Sequence, residues 1–521
     1  MPTHAFLKAD PLVIGTIVFS TKQVAISLWP ALAVVAATVM LGRFFCSHLC
    51  PLGTLIDLSD QRLRHPHAGM KPAGRLRYLK FYVLIGLAAG ALAGWNGVFW
   101  VDPIALLTRV YALVLYPLTV MGVNLGLDAA RPAAKAMGWV ALSHAHFRQP
   151  LFYANIMAAI IAVAVLLAGR LGRRFWCRTI CPLGALLGIF SRWALFRRTV
   201  GDGCIECGQC QRHCPMEAIG EDPRTFRWQE CTLCRICGEV CPVEVISFEF
   251  VRHQTQSKQL EPWSPSRRMF LWGMTGGLAL TFFHSTTPYG IRRSDAIIRP
   301  PGAVPEREFL RRCIRCGQCM RACLTNTLQP SLWEAGSEGI WAPRMDLRYA
   351  PCEQRCNVCG LVCPTNAIRA LDLEERKHAK VGTAVISKDR CLVWERNRIC
   401  LICDEVCPYN AIVFRSVDGV RRPFVVEEQC NGCGYCEHKC PVGGESAIIV
   451  TPMDEFRLST GSYITEARRR SMRFEPDPGT DRFVIQKEGL IENSKSEIGN
   501  SKLLKQGQKP GLPKGFILEK P

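Results

Sequence analysis

A chain of 521 residues exceeds one ordinary domain, and 48% hydrophobic content with a mean hydropathy of +0.09 points to soluble modules joined to membrane segments. Its 28 cysteines recur at regular spacings, which excludes the irregular disulfide frameworks of short secreted proteins. The formal charge of +20 counts thiols as neutral. A cubane held by four thiolates carries roughly 2 negative charges, so the balance reads as cluster compensation plus positive-inside topology rather than nucleic-acid binding.

Five uncharged stretches are candidate membrane segments: residues 23–42, 81–101, 110–127, 149–169 and 269–291. About 20 helical residues cross a hydrocarbon core. The loops Arg43–Lys80 and Arg170–Arg198 each hold seven Lys or Arg, so both are expected in the cytoplasm. An even number of crossings then separates them. Residues 81–101 and 149–169 are read as spans, and 110–127, with Pro117 and Asn124 inside, as lying along the outer face. This topology leaves the N-terminus outside with no helix to carry it there, which points to a missing upstream segment.

An internal repeat agrees with that parity. Asp10-Pro11-Leu12 leads through an apolar helix to Cys46 and Cys50-Pro51-Leu52-Gly53, and Asp102-Pro103-Ile104 leads to Cys177 and Cys181-Pro182-Leu183-Gly184. Cys46 and Cys50, like Cys177 and Cys181, are spaced to share a helix face. Together the two loops offer four thiolates at one membrane surface, candidates for a further metal or cluster site. The alternative is structural thiols in a helix-terminating turn.

Next come two copies of Cys-x2-Cys-x2-Cys-x3-Cys-Pro: Cys204, Cys207, Cys210 and Cys214, then Cys231, Cys234, Cys237 and Cys241. Three closely spaced thiolates wrap one cube, while the fourth, turned away by its proline, reaches the neighbouring cube. One cluster is therefore assigned to Cys204, Cys207, Cys210 and Cys241, and the other to Cys214, Cys231, Cys234 and Cys237.

Ser266-Arg267-Arg268-Met269-Phe270-Leu271 before a moderately apolar stretch has the form of a twin-arginine signal, a route that carries proteins already folded. The alternative is an ordinary helix with an arginine pair at its inner end. Arg292, Arg293, Arg299, Arg307, Arg311 and Arg312 follow the stretch and weigh against export.

Four further tetrads follow: Cys313, Cys316, Cys319 and Cys323; Cys352, Cys356, Cys359 and Cys363; Cys391, Cys400, Cys403 and Cys407; Cys430, Cys433, Cys436 and Cys440. Leu324 replaces the proline of the first, the first spacing of the second is one residue longer, and the third has an insertion between Cys391 and Cys400. An apolar pair follows each fourth cysteine, such as Ala218-Ile219 and Ala411-Ile412, which would keep water off the sulfurs. Zinc is the alternative for such thiols, but zinc ribbons pair Cys-x-x-Cys knuckles and lack the triple with Cys-Pro.

The spans offer no bis-histidine haem site, and no Cys-x-x-Cys-His, Gly-x-Gly-x-x-Gly or P-loop occurs, so neither haem nor a nucleotide is indicated. His48, His144 and His146 with Asp102 are candidates for a quinol site, against the plainer reading of solvated loop residues. The fold class is thus an α-helical membrane domain (1–199) plus α+β bacterial-ferredoxin-like 4Fe-4S modules of two clusters (200–250) and four clusters (292–454). A linker and twin-arginine-like helix (251–291) joins the modules, and a polar, partly disordered tail (455–521) ends the chain.

With two Cys-x-x-x-Cys-Pro loops followed by a two-cluster module, residues 1–250 resemble the NapH-type membrane ferredoxin proteins and share part of the NosR-type plan. Residues 266–452, with a twin-arginine signal and four tetrads, resemble the exported NapG/MauM-type ferredoxin proteins. The resemblance implies electron relay from the quinol pool, or from a cytoplasmic donor, through six [4Fe-4S] clusters to a periplasmic reductase or cytochrome. It also implies a multi-pass protein of the bacterial inner membrane whose second module lies in the periplasm. It further implies pairing of the last four motifs first with fourth and second with third. A maturation or maintenance factor for a periplasmic metalloenzyme and a cytoplasmic redox sensor are the other functional classes.

Overall fold

Each Asp-Pro repeat starts a helix. In the computed structural model, which describes residues 4–23, 28–62, 76–153, 155–250, 266–286 and 297–474, the helical part contains α1 (Pro11–Thr21), α2 (Trp29–Leu41), α3 (Pro51–Arg62), α4 (Leu79–Leu92), α5 (Pro103–Val110), α6 (Tyr116–Ala136), α7 (Asn155–Leu167) and α8 (Pro182–Phe190). A ninth helix, α9 (Arg267–Thr286), follows the first cysteine module. Asp10 accepts from the Leu12 and Val13 amides at 2.8 and 3.3 Å, and Asp102 from the Ala105 amide at 2.7 Å, with Pro11 and Pro103 in the first turns. The two capping carboxyl groups are fully buried and meet each other, so the repeats join at their helix starts.

The expected spans are only partly helical. Residues 81–101 and 149–169 contain the short helices α4 and α7, whereas residues 110–127 lie within Pro103–Ala136, the one described helix long and apolar enough to cross a membrane. Asp10-capped α1, α2 and Asn155–Leu171 are apolar but shorter. A π-helical turn at Tyr111–Leu115 widens this helix just before Pro117, which has no amide hydrogen to donate. The chain then folds back along α6: Asn124 donates to the Phe147 carbonyl at 2.7 Å and Gln149 to that of Pro117 at 2.9 Å. The excursion leaves from the second cysteine module, where Arg321 lies over Tyr116, and returns to it, where Asn326 donates to the Leu151 carbonyl. It therefore starts and ends at the same module, whatever its length.

Helices α4 and α9 run side by side in the same direction. Phe81 packs on Met269, Gly86 on Gly273 and Gly277, and Gly90 near Thr281. A side chain at Gly277 would stand 2.3 Å from the Gly86 carbonyl oxygen, so the small residues are what let the backbones touch.

The first cysteine module is closed by antiparallel β1 (Phe196–Val200) and β2 (Ile246–Phe250), with Phe196 opposite Phe250. The second contains β3 (Leu328–Pro330) paired with β4 (Pro343–Met345), β5 (Thr383–Ile386) with β8 (Ile448–Thr451), and the hairpin β6 (Ile412–Val417) to β7 (Val420–Val425). Asp418 and Gly419 turn that hairpin with φ of 54° and 74°, the left-handed pair a tight two-residue turn needs.

The modules dock at opposite ends of α4. At its start, the Lys80 ammonium bonds Glu230 at 2.5 Å, Arg43 donates to the Gln229 carbonyl at 2.7 Å and Ser47 to that of Thr232 at 2.7 Å. At its far end, Arg311 donates to the Gly94 carbonyl at 3.2 Å, Asn96 to that of Arg311 at 2.7 Å, and Arg109 to that of Arg315 at 2.9 Å. Fourteen residues of α4 separate the two docking sites, about 21 Å of helix rise.

Candidate metal centres

The first module holds its thiols in two cavities. Cys204, Cys207, Cys210 and Cys241 line one, and Cys214, Cys231, Cys234 and Cys237 line the other, each fourth cysteine crossing to its neighbour as expected from its Cys-Pro. Ala218 and Ile219 cover the second cavity.

In the second module the grouping differs from the first-with-fourth, second-with-third pairing. Cys363 lies against Cys313, Cys316 and Cys319, and Cys323 against Cys352, Cys356 and Cys359, so the first two motifs exchange their fourth ligands. Cys407 lines one cavity with Cys430, Cys433 and Cys436, while Cys391 and Cys400 face Cys403. Cys440 is left as their fourth thiol. The expected pairing is thus corrected: the motifs pair first with second and third with fourth. The four sets stand in a row, since the Cys352 amide donates to the Cys433 carbonyl at 2.9 Å and Cys403 faces Cys436. The insertion after Cys391 folds as the turn Leu392–Arg396, anchored where Trp394 donates to the Pro423 carbonyl at 3.3 Å.

These sites fit cubanes better than single ions. A zinc ion needs sulfurs about 3.8 Å apart at Zn–S bonds of ~2.3 Å, and among the described residues no three His, Cys, Asp or Glu side chains converge to hold one ion. Burial pushes the Cys231, Cys316 and Cys403 thiols up to about 12 and the Cys237 and Cys356 thiols up to about 11, so the bare thiols keep protons that iron displaces on binding.

Buried arginines supply the compensating charge, and sequence reasoning did not single them out. Arg198, 1% exposed, lines both cavities of the first module, and Arg376 donates to the Cys352 sulfur at 3.1 Å. Only their place among many basic residues near cysteines could have pointed to them.

The remaining four cysteines converge as well. Cys46, Cys50, Cys177 and Cys181 line one cavity together with Arg43 and Arg174. The histidine candidates do not converge. His48 stacks on Phe44 beside the first module, whereas His144 ends a turn packed on α6, and Asp102 is buried at a helix start.

Residues 24–70 and 153–201 match the family described as "4Fe-4S binding domain", and residues 398–444 match the "4Fe-4S dicluster domain", which takes in the third and fourth motifs of the second module from Cys400 onward. The chain is 36% identical over 211 residues to the methylamine utilization ferredoxin-type protein MauM of Methylorubrum extorquens, covering 37% of this chain and 92% of that one. It is 35% identical over 184 residues to the ferredoxin-type protein NapG of Escherichia coli, 33% of this chain and 78% of that one. It is also 30% identical over 213 residues to the putative electron transport protein YccM of Escherichia coli, 40% of this chain and 52% of that one. With iron–sulfur families matched at both kinds of cysteine site and most of each ferredoxin-type relative covered, the chain belongs to the MauM/NapG family of ferredoxin-type electron-transfer proteins.

Proposed function

We propose that the chain is a membrane-embedded electron conduit, relaying electrons from quinol or a cytoplasmic donor through six [4Fe-4S] clusters to a periplasmic reductase or cytochrome. The observation that carries this reading is the docking of the two modules at opposite ends of parallel α4 and α9. Bound cubanes supply one-electron storage that needs no protein bond made or broken. The protein's own residues hold them dry, space them and neutralise their charge.

A membrane setting is supported by what the helices leave uncovered. Trp29, Leu125, Ile156 and Trp272, on α2, α6, α7 and α9, are each at least 70% exposed, an apolar surface that water would not tolerate. The resemblance of residues 1–250 to NapH- and NosR-type proteins accords with this, and the relatives described as ferredoxin-type proteins accord with electron transfer.

Two of the arginines that weighed against export are paired inside the second module. Arg299 is buried against Glu306, Arg312 pairs with Glu308, and Arg311 is bonded to the Gly94 carbonyl; Arg292 and Arg293 lie outside the described residues. Folded and paired before transport, Arg299 and Arg312 do not oppose a twin-arginine route.

The test is a protease-sensitive tag at the C-terminus, assayed in spheroplasts with and without Arg267→Lys plus Arg268→Lys. Cleavage only with the arginine pair intact is expected. Protection in both would place all clusters on one side and end the transmembrane reading.

A further inference from the structure

Six cysteine tetrads leave a gap in the relay. The two modules are held about 21 Å apart along α4, and the two Cys-x-x-x-Cys-Pro loops, each in a segment that matches the 4Fe-4S binding family, bring only two thiols apiece, too few for a cluster on their own. Cys46 with Cys50 comes from one copy of the internal repeat and Cys177 with Cys181 from the other, yet all four line one cavity.

That cavity is built like the tetrads. Its free space, the part open to solvent included, is ≈ 370 Å³, between the ≈ 320 Å³ around Cys204 and the ≈ 400 Å³ around Cys231. Gly53 and Gly184 keep its walls close: a side chain at Gly53 would stand 2.9 Å from the Cys46 carbonyl oxygen, and one at Gly184 would stand 2.8 Å from the Arg43 guanidinium. Arg43, 1% exposed, bonds Cys46, and its Nε has no hydrogen-bond partner in the protein. Arg174, fixed by its ion pair with Asp57, adds a second cation against the thiols.

We infer that Cys46, Cys50, Cys177 and Cys181 jointly hold a seventh, cubane-sized iron–sulfur cluster that bridges the two ferredoxin modules. On one side, Met216 and Thr232 line both this cavity and that of Cys214 and Cys231, so a single layer of residues separates the two. On the other side, Pro103 lines the cavity, and Arg109, six residues and about 9 Å further along α5, bonds the Arg315 carbonyl between Cys313 and Cys316. Cys50, Cys181 and Cys316 belong to one buried apolar cluster. Occupied, the site takes one electron from one module as that module is oxidised by one, and passes one to the other, with no proton or ligand exchanged.

The bridge rests on the conduit reading, but the site is tested without it. Iron and acid-labile sulfide are measured in the anaerobically purified full-length protein and in Cys46→Ser, Cys177→Ser and the double variant. About 28 iron atoms per chain are expected in the wild type and about 24 in all three variants. Unchanged content in both single variants overturns the site, and a further fall in the double variant overturns the sharing. Alkylation of the iron-replete wild type, mapped by mass spectrometry, needs no variant: all four thiols are expected to be protected until iron is chelated, and their prompt labelling overturns the proposal. For the bridge, proteoliposomes receive a membrane-impermeant reductant on the first-module side. Reduction of the second-module clusters should fall to background in Cys46→Ser; undiminished reduction overturns the bridge, and a wild type that passes no electrons refutes the conduit while leaving the iron test to judge the site.

Discussion

Replacing Glu230 with glutamine removes the one carboxylate that faces two buried cations at the joint between the first module and the helices. Glu230 bonds Lys80 at 2.5 and 2.7 Å and faces Arg43 at 3.5 Å, and the two cations are 0% and 1% exposed. At an effective dielectric constant of about 20 the attractions amount to about 6 and about 5 kcal/mol, most of which desolvation offsets. Removing one member of such a buried set costs about 3–5 kcal/mol, because the partners are left charged and dry. Docking of the module should therefore weaken by roughly two to three and a half orders of magnitude. Hydrogen exchange reads this directly: amides at the joint, around Arg43–Ser47 and Gln229–Leu233, should exchange faster by that factor while iron content stays constant. Glu217→Gln is the control, since the Glu217 side of its pair with Arg178 is one-third exposed and the loss should stay under about 1 kcal/mol. Exchange in Glu230→Gln that matches the wild type would refute the claim that this ion set holds the module in place.

Two further outcomes follow from the second module. Cys440→Ser should open Cys391, Cys400 and Cys403 to alkylation and leave Cys313, Cys316 and Cys319 protected; labelling of the Cys313 set instead would restore the first-with-fourth pairing. Glu306 is partly desolvated, which alone would raise its carboxyl, but Arg299 and Arg457 hold it below the usual range. A depressed folded value stabilises the module above the unfolded value of ~4.3, and that stability is lost as pH falls through the lower folded value. Glu306→Gln should therefore cost about 3 kcal/mol at pH 7 and flatten the acid loss of stability, read by denaturant unfolding of the anaerobic protein; an unchanged acid slope would refute the assignment.

Most tetrads were legible in the sequence because three thiolates around one cube usually come from one short loop, and Cys204 to Cys210 or Cys430 to Cys436 carry that spacing themselves, whereas the insertion between Cys391 and Cys400 departs from it. The Asp-Pro helix starts were legible for the same reason: Asp10 and Asp102 cap helices through contacts within three residues. The sharing of fourth ligands in the second module was not. Neither the proline after Cys363, Cys407 and Cys440 nor Leu324 after Cys323 says which neighbour is reached, so only the packing of loops far apart in sequence selects first with second and third with fourth.

Tertiary structure also decided what apolar length could not. Residues 110–127 sit in the longest apolar helix among the described residues, yet the return along Asn124 and Gln149 brings the chain back to the module it left. Equally, each Cys-x-x-x-Cys-Pro loop alone offers two thiols, too few for a cluster. Four meet in one cavity only because Asp10 and Asp102 bring the two repeats together at their helix starts, and such a meeting leaves no trace in the spacing of either half.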